Sequence, residues 1–250
     1  MSLSLTDGTP FARIISGQYK NKLIFIDADE TAEGPHYAKI DLKKSKLEPI
    51  MNPDQRGVYV VGGPAGAGKS TYAAKLAQSF KKIHPKKDIY FFSRTDVKDD
   101  PAYKKIKPIQ VKLDESPISD PILIEDIDKG SLLIFDDVNT IHDKNIKAEV
   151  LHLIQDVLEV GRKMNLSIII TTHLINPSEK VFARTMLNEV QYLTFFPRGS
   201  SAYQIRYVLQ NYFGLDKAQI DVVLKLPSRW VTISKLYPPV VMYDGGCYTL

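Results

Sequence analysis

The sequence predicts an α/β protein, a mostly parallel sheet with helices on both faces and a small β-rich N-terminal appendix over residues 1–50. Three observations predict it. Short apolar runs rich in β-branched residues alternate with stretches of helical periodicity between residues 58 and 196. The first of these runs, V-Y-V-V, leads into G-G-P-A-G-A-G-K-S-T and then into the helix-forming Y-A-A-K-L-A-Q-S-F. A later run, L-L-I-F, ends in two adjacent carboxylates, Asp136 and Asp137.

In the first 50 residues, apolar runs at 11–15 and 22–26 flank a turn at 17–21 and predict a hairpin. Residues 36–42 predict a third strand, and the charged stretch 43–56, with Pro49 and Pro53, reads as a connector. Residues 51–250 are expected to form the main domain. Within it, residues 58–61 form a buried strand and a helix follows Lys69. Residues 89–92 give a second strand, 93–107 a long polar surface loop around D-D-P, and 109–113 a short strand. The acidic stretch 114–129, broken by Pro117 and Pro121, is loop with one helical turn at most. A third core strand covers 132–135. The clearest amphipathic helix spans 147–164, where Val150, Leu151, Ile154, Val157, Leu158 and Gly161 recur at helical spacing. A fourth strand at 167–170 ends in Thr171, Thr172 and His173. A helix over 177–187 with proline in its first turn and a strand over 190–196 follow. The tail predicts helices at 201–213 and 216–226 and strands at 230–234 and 240–243 before a D-G-G turn. At least one strand separates the glycine-rich motif from the acid-tipped strand in sequence, as in the RecA-like branch of P-loop NTPases.

Composition sets the compartment. The 250 residues suffice for a large buried core, and 44% hydrophobic with 25% charged residues is ordinary for a globular protein. The single cysteine, Cys247, excludes an internal disulfide and fits a reducing compartment. No apolar run approaches the roughly 18 residues of a membrane span, and the N-terminus lacks the regions of a signal peptide. A formal charge of +4 permits a nucleic-acid partner without arguing for one.

Residues 63–70 match G-x-x-x-x-G-K-[ST] between a strand and a helix, the setting of a phosphate-binding loop. Gly63, Pro64, Ala65, Gly66, Ala67 and Gly68 would wrap the phosphates with backbone N–H groups, followed by Lys69, Ser70 and Thr71. The helix dipole adds to the attraction. Lys69 would reach the β- and γ-phosphates and the Ser70 hydroxyl would ligate Mg²⁺. A nucleoside triphosphate is the expected ligand; no base-reading motif separates ATP from GTP. Asp136 is expected on Mg²⁺ and Asp137 on the attacking water, a pair that favours hydrolysis over phosphoryl transfer to an acceptor. His173 is either structural or a γ-phosphate sensor. Arg162 is either a cation at a helix C-terminus or an arginine finger, and Arg184 is a second candidate finger. The clusters Lys81-Lys82, Lys86-Lys87 and Lys104-Lys105-Lys107 are either solvated or line a DNA channel.

The order of V-V-G-G-P-A-G-A-G-K-S-T, L-L-I-F-D-D, E-V-G-R-K-M-N-L-S-I-I-I-T-T-H and R-T-M-L-N-E-V-Q-Y-L-T-F-F resembles the FtsK–HerA superfamily. The likeness is greatest to the poxvirus-type genome-packaging ATPases of large double-stranded DNA viruses, over residues 58–196. The resemblance implies ATP and Mg²⁺, Gly63, Gly68, Lys69 and Ser70 on the nucleotide, Asp136 on the metal and Asp137 as the catalytic carboxylate. It also implies His173 as sensor and Arg162 as a finger acting across subunits of a hexameric or pentameric ring. The ring would pump double-stranded DNA into a capsid, with capsid or portal-vertex proteins as partners, in the virion or host cytoplasm. Asp137 and His173 depart from the family's usual Glu and Gln. Two other functions stay open at this point, a virion assembly or secretion ATPase that ignores DNA and a P-loop kinase.

Overall fold

The computed structural model describes residues 2–114, 121–175 and 180–250. In chain order it opens with β1 (Ser2–Ser4), β2 (Thr9–Ile14), β3 (Leu23–Asp27), β4 (Lys39–Asp41) and β5 (Leu47–Pro49). The motif-bearing region holds β6 (Val58–Gly62), α1 (Lys69–Ile83), β7 (Ile89–Ser93), β8 (Ile109–Lys112) and β9 (Leu132–Phe135). It continues with α2 (Lys144–Glu159), β10 (Ser167–Thr172) and α3 (Lys180–Glu189). Then come β11 (Tyr192–Phe195), α4 (Ala202–Phe213), α5 (Lys217–Leu224), β12 (Val231–Ser234), β13 (Val240–Tyr243) and β14 (Gly246–Thr249). Contacts divide the chain into two compact units: Asp54–Val190, and the chain up to Pro53 together with Gln191–Leu250.

In the unit Asp54–Val190 the strands run in the order β6-β10-β9-β7-β8, and every neighbouring pair is parallel. Strands β6, β9 and β10 are buried at every residue. Unbroken apolar runs are what a parallel sheet covered on both faces needs. β10 lies between the glycine-motif strand and the acid-tipped strand, which is the RecA-like arrangement. α1 packs Tyr72, Ala73, Leu76, Ala77 and Phe80 inward and contacts β6, β9 and β10.

α2 begins earlier and ends earlier than its periodicity alone suggests. Asp143 accepts hydrogen bonds from the N–H groups of Asn145 (2.8 Å) and Ile146 (3.0 Å), so the N-cap sets the start. At the other end the guanidinium of Arg56 donates to the carbonyls of Val157 (3.2 Å) and Leu158 (3.0 Å). The chain then tightens into a 3-10 turn, Gly161–Met164, closed by Asn165 in the left-handed region at φ 54°. The expected surface loop 93–107 is not all surface, because Tyr103 and Ile106 are buried in it. The expected helical turn in 114–129 is a 3-10 turn at Ile124–Asp126, and residues 115–120 lie outside the described residues. The proline-led start of the helix expected at 177–187 also lies there in part.

In the other unit, β1, β3, β2 and β5 form a four-stranded antiparallel sheet in that order. The predicted hairpin is β2–β3. The third strand expected at 36–42 is β4, which pairs with β14. One expectation for the first 50 residues needs correction: the supposed connector contains β5, which pairs with β2. Strands β11, β12, β13, β14 and β4 form an antiparallel ladder. The Asp244-Gly245 turn joins β13 to β14, a strand the sequence reading passed over. Leu3, Phe11, Ile14, Ile24, Leu47, Val240, Met242 and Cys247 share one core, so the N-terminal β-rich strands cluster with the tail. Burial pushes the Cys247 thiol up, which keeps it a small apolar residue.

Candidate functional site

β6, β10 and β9 end level with one another: Thr172 stands beside Gly62 and Ile170 beside Phe135. The glycine-rich loop, the T-T-H segment and the Asp136-Asp137 pair therefore leave the sheet at one edge, as ligand sites in open parallel sheets do. Gly63 donates its N–H to the Thr172 carbonyl (3.0 Å), which ties the loop to β10. Gly66 and Gly68 hold φ values of 74° and 113°, where a side chain would be strained. These turn the backbone so that α1 starts at Lys69. No side chain caps α1 and no acidic residue sits in its first turn. A helix start arranged this way offers N–H groups and positive potential to an anion. Pro64 and Ala67 share the loop's own hydrogen bond (3.2 Å), Ala65 and Thr71 are exposed, and Ser70 is half-buried beside Lys69.

Lys69 is 6% exposed, and its Nζ lies 3.5 Å from Asp137 Oδ1. The other oxygen of Asp137 lies 3.2 Å from His173 Nε2. One carboxylate thus stands between the buried ammonium and the imidazole. Asp137 adopts φ 46° and ψ 42°, a left-handed conformation costing about 1–2 kcal/mol for an ordinary residue and tolerated by aspartate. Its N–H is held by the Thr171 hydroxyl (2.8 Å), which donates its proton to Asp136 Oδ1 (2.8 Å). A hydroxyl has one proton, so the longer 3.4 Å contact with Asp137 Oδ1 is secondary. Burial pushes the Asp136 carboxyl up to about 6, opposed by the Thr171 hydrogen bond and reinforced by the charges of Asp137 and Asp100. Such a carboxylate gains from a nearby cation.

These residues fit a nucleotide with Mg²⁺. A Mg²⁺ ion bound by one hydroxyl, one carboxylate, phosphates and water needs no larger protein cage, and the described residues hold no cluster of three or more acidic, His or Cys ligands. Ser70 and Asp136 are the residues that could supply those two positions.

Thr171 is the side chain the sequence undervalued, because its role depends on β10 lying beside β9. Replacing it by valine keeps the shape but strands the Asp137 N–H and one Asp136 oxygen. Thr171→Val is expected to cost about 1–3 kcal/mol in urea unfolding and to lower turnover by loosening both carboxylates. Asn139 was also missed: its amide donates to Thr172 Oγ1, and its Oδ1 is buried without a hydrogen-bond partner among the described residues.

Arg162 and Arg184 are not brought to this site. Arg162 is exposed on the turn before β10, where the Arg56 guanidinium fills the space a side chain at Gly161 would need and Met164 accepts from Gly130 (2.9 Å). The length of β10, roughly 17 Å at about 3.3 Å per residue, separates that edge from the phosphate loop. Arg56, not Arg162, neutralises the end of α2. Arg184 is exposed on α3. Lys81 and Lys87 donate to the carbonyls of Lys87 (2.8 Å) and Lys129 (2.7 Å), while Lys82, Lys86, Lys104, Lys105 and Lys107 are exposed.

Comparison with known proteins follows the same outline. The NACHT domain family model matches residues 57–213. The chain is 40% identical to the uncharacterised protein V3 of the Sputnik virophage over 98% of its own length and 96% of that protein. Its fold is similar to that of the genome packaging NTPase B204 of Sulfolobus turreted icosahedral virus 2 in complex with AMP. That likeness has a TM-score of 0.51 at 14% identity and covers 78% of this chain and 98% of the other. The conjugation coupling protein TcpA of pCW3, with ATPγS, superposes with a TM-score of 0.50 at 12% identity, over 94% of this chain and 76% of that one. With a parallel sheet, a glycine-rich phosphate loop and these relatives, the chain belongs to the NACHT-domain family of P-loop NTPases and to the family of the virophage protein V3.

Proposed function

We propose that this protein is a Mg²⁺-dependent ATPase that moves double-stranded DNA, packaging a viral genome into a capsid as a homo-oligomeric ring of six or five subunits. The observation that carries the reading is Asp137 held between buried Lys69 and His173 at the mouth of an uncapped helix. Lys69, Ser70 and the N–H groups of residues 63–71 bind the triphosphate. Asp136 with Ser70 would hold Mg²⁺, which supplies charge neutralisation across the β- and γ-phosphates. Asp137 orients the attacking water and accepts its proton, and His173 fixes the carboxylate and senses the γ-phosphate side. Arg162 reaches the active site of the adjacent subunit.

DNA as the partner is supported by the fold likeness to a genome packaging NTPase and by exposed lysines of the kind that can make sequence-independent phosphate contacts. Capsid or portal-vertex proteins are the further partners, in the virion or the host cytoplasm. No helix among the described residues is long and apolar enough to cross a membrane. The test is ATP turnover with and without linear duplex DNA at low salt. Stimulation of several-fold that fades as salt rises is the expected result. Turnover indifferent to DNA would transfer the reading to an assembly or secretion ATPase.

A further inference from the structure

Tyr103 is a polar residue with nothing to do in the site as described. It is fully buried in the segment joining β7 to β8, and its hydroxyl has no hydrogen-bond partner among the described residues. A buried hydroxyl without a partner is rare in a native interior, so its surroundings bear on its use. Its ring packs on Phe91 of β7 at 4.6 Å between centroids. Phe91 stands beside Ile134 of β9. Side chains two residues apart on a strand share a face, and the Asp136 N–H continues the ladder by donating to the Phe92 carbonyl (2.9 Å). Asp136 therefore emerges on the face that carries Ile134, Phe91 and Tyr103. Phe92 and Phe135, stacked at 4.4 Å, occupy the opposite face. Thr171 already engages Oδ1 of Asp136 (2.8 Å), so Oδ2 is the oxygen a second donor would hold. Burial first, and then the charges of Asp136, Asp100 and Asp137, push the Tyr103 hydroxyl well above its ordinary value. It therefore remains a neutral donor.

We infer that Tyr103 is a positioning residue for Asp136, its hydroxyl donating to the carboxylate oxygen not held by Thr171 when Mg²⁺–nucleotide is bound. This rests on the reading of Asp136 as the metal carboxylate. Thr171 and Tyr103 then hold the carboxylate from two sides, and the β7–β8 segment becomes part of the nucleotide site.

Tyr103→Phe removes one atom and preserves the packing on Phe91, so it separates the hydroxyl from the ring. The measurement is binding of a fluorescent ATP analogue to the full-length chain, titrated with Mg²⁺, alongside a thermal melt. The expected result is a Mg²⁺ half-saturation raised about 10-fold, as for other partners of metal-holding carboxylates. Binding without Mg²⁺ is expected to be unchanged, and the melting temperature equal or higher. A purely structural hydroxyl would shift the melt and leave the Mg²⁺ titration alone, and that outcome overturns the proposal. Asp136→Asn serves as the reference. If it impairs the Mg²⁺ titration while Tyr103→Phe does not, Tyr103 alone loses its role. If Asp136→Asn has no effect, the metal assignment falls and takes the Tyr103 proposal with it.

Discussion

Lys69→Ala is expected to lower ATP turnover by at least about 10²-fold, the scale seen when one preorganised charge-stabilising group is removed from a transition state. Lys69 is 6% exposed, and the ion pair of its ammonium is with Asp137, at 3.5 Å. A cation held out of water at the start of an uncapped helix stabilises charge developing on a transferred phosphoryl group more than it would in solvent. Alanine is a good residue for the first turn of a helix, so α1 should persist and the circular dichroism melt should change little. Phosphate release measured with saturating ATP and Mg²⁺ checks the first half, and the melt checks the second. Turnover within a few-fold of the parent would remove the nucleotide from this loop as its catalytic position.

Arg162→Ala is expected to lower turnover by about 10³-fold or more, the range for an arginine finger, and the loss should be partly restored by mixing with Lys69→Ala subunits. The geometry makes this prediction specific. Arg162 and the phosphate loop lie at opposite ends of β10, so the side chain cannot serve the nucleotide of its own subunit. Nor is it needed to neutralise α2, since Arg56 already binds the carbonyls of Val157 and Leu158. In the proposed ring, mixed subunits would place an intact Arg162 on a Lys69→Ala subunit against an intact loop on an Arg162→Ala neighbour. Recovery that varies with mixing ratio marks catalysis across a boundary. Loss without recovery overturns catalysis across a boundary, and unchanged turnover moves the finger to Arg184, which the same mixing experiment tests.

Much of the nucleotide site could be read from residues in a row. The strand, the glycine turn and the helix around residues 58–83 are encoded locally, because buried parallel strands must be apolar and positive φ needs glycine. The acid-tipped β9 and the T-T-H end of β10 were legible for the same reason. Less legible was the use of Thr171. Its hydrogen bonds reach residues 34 and 35 positions earlier, and they exist only because β10 inserts between β6 and β9. Tyr103 stood in a stretch whose polarity reads as loop; the spacing of Tyr103 and Ile106 around two lysines was the available sign of an anchored segment.

By itself the sequence determined the phosphate loop, the order of strands and helices between residues 58 and 196, and the identity of the charged groups that can meet a triphosphate. Tertiary structure decided which of those groups meet. It set Asp137 between Lys69 and His173, left Arg162 at the far edge, buried Tyr103 on the face of Asp136, and gathered the first strands with the tail around Leu3, Phe11 and Met242. The physical reason is the range of the forces involved. Periodicity and turn chemistry act within a few residues, whereas strand order is chosen by burial summed over the whole sheet, and only that choice brings distant side chains within hydrogen-bonding reach.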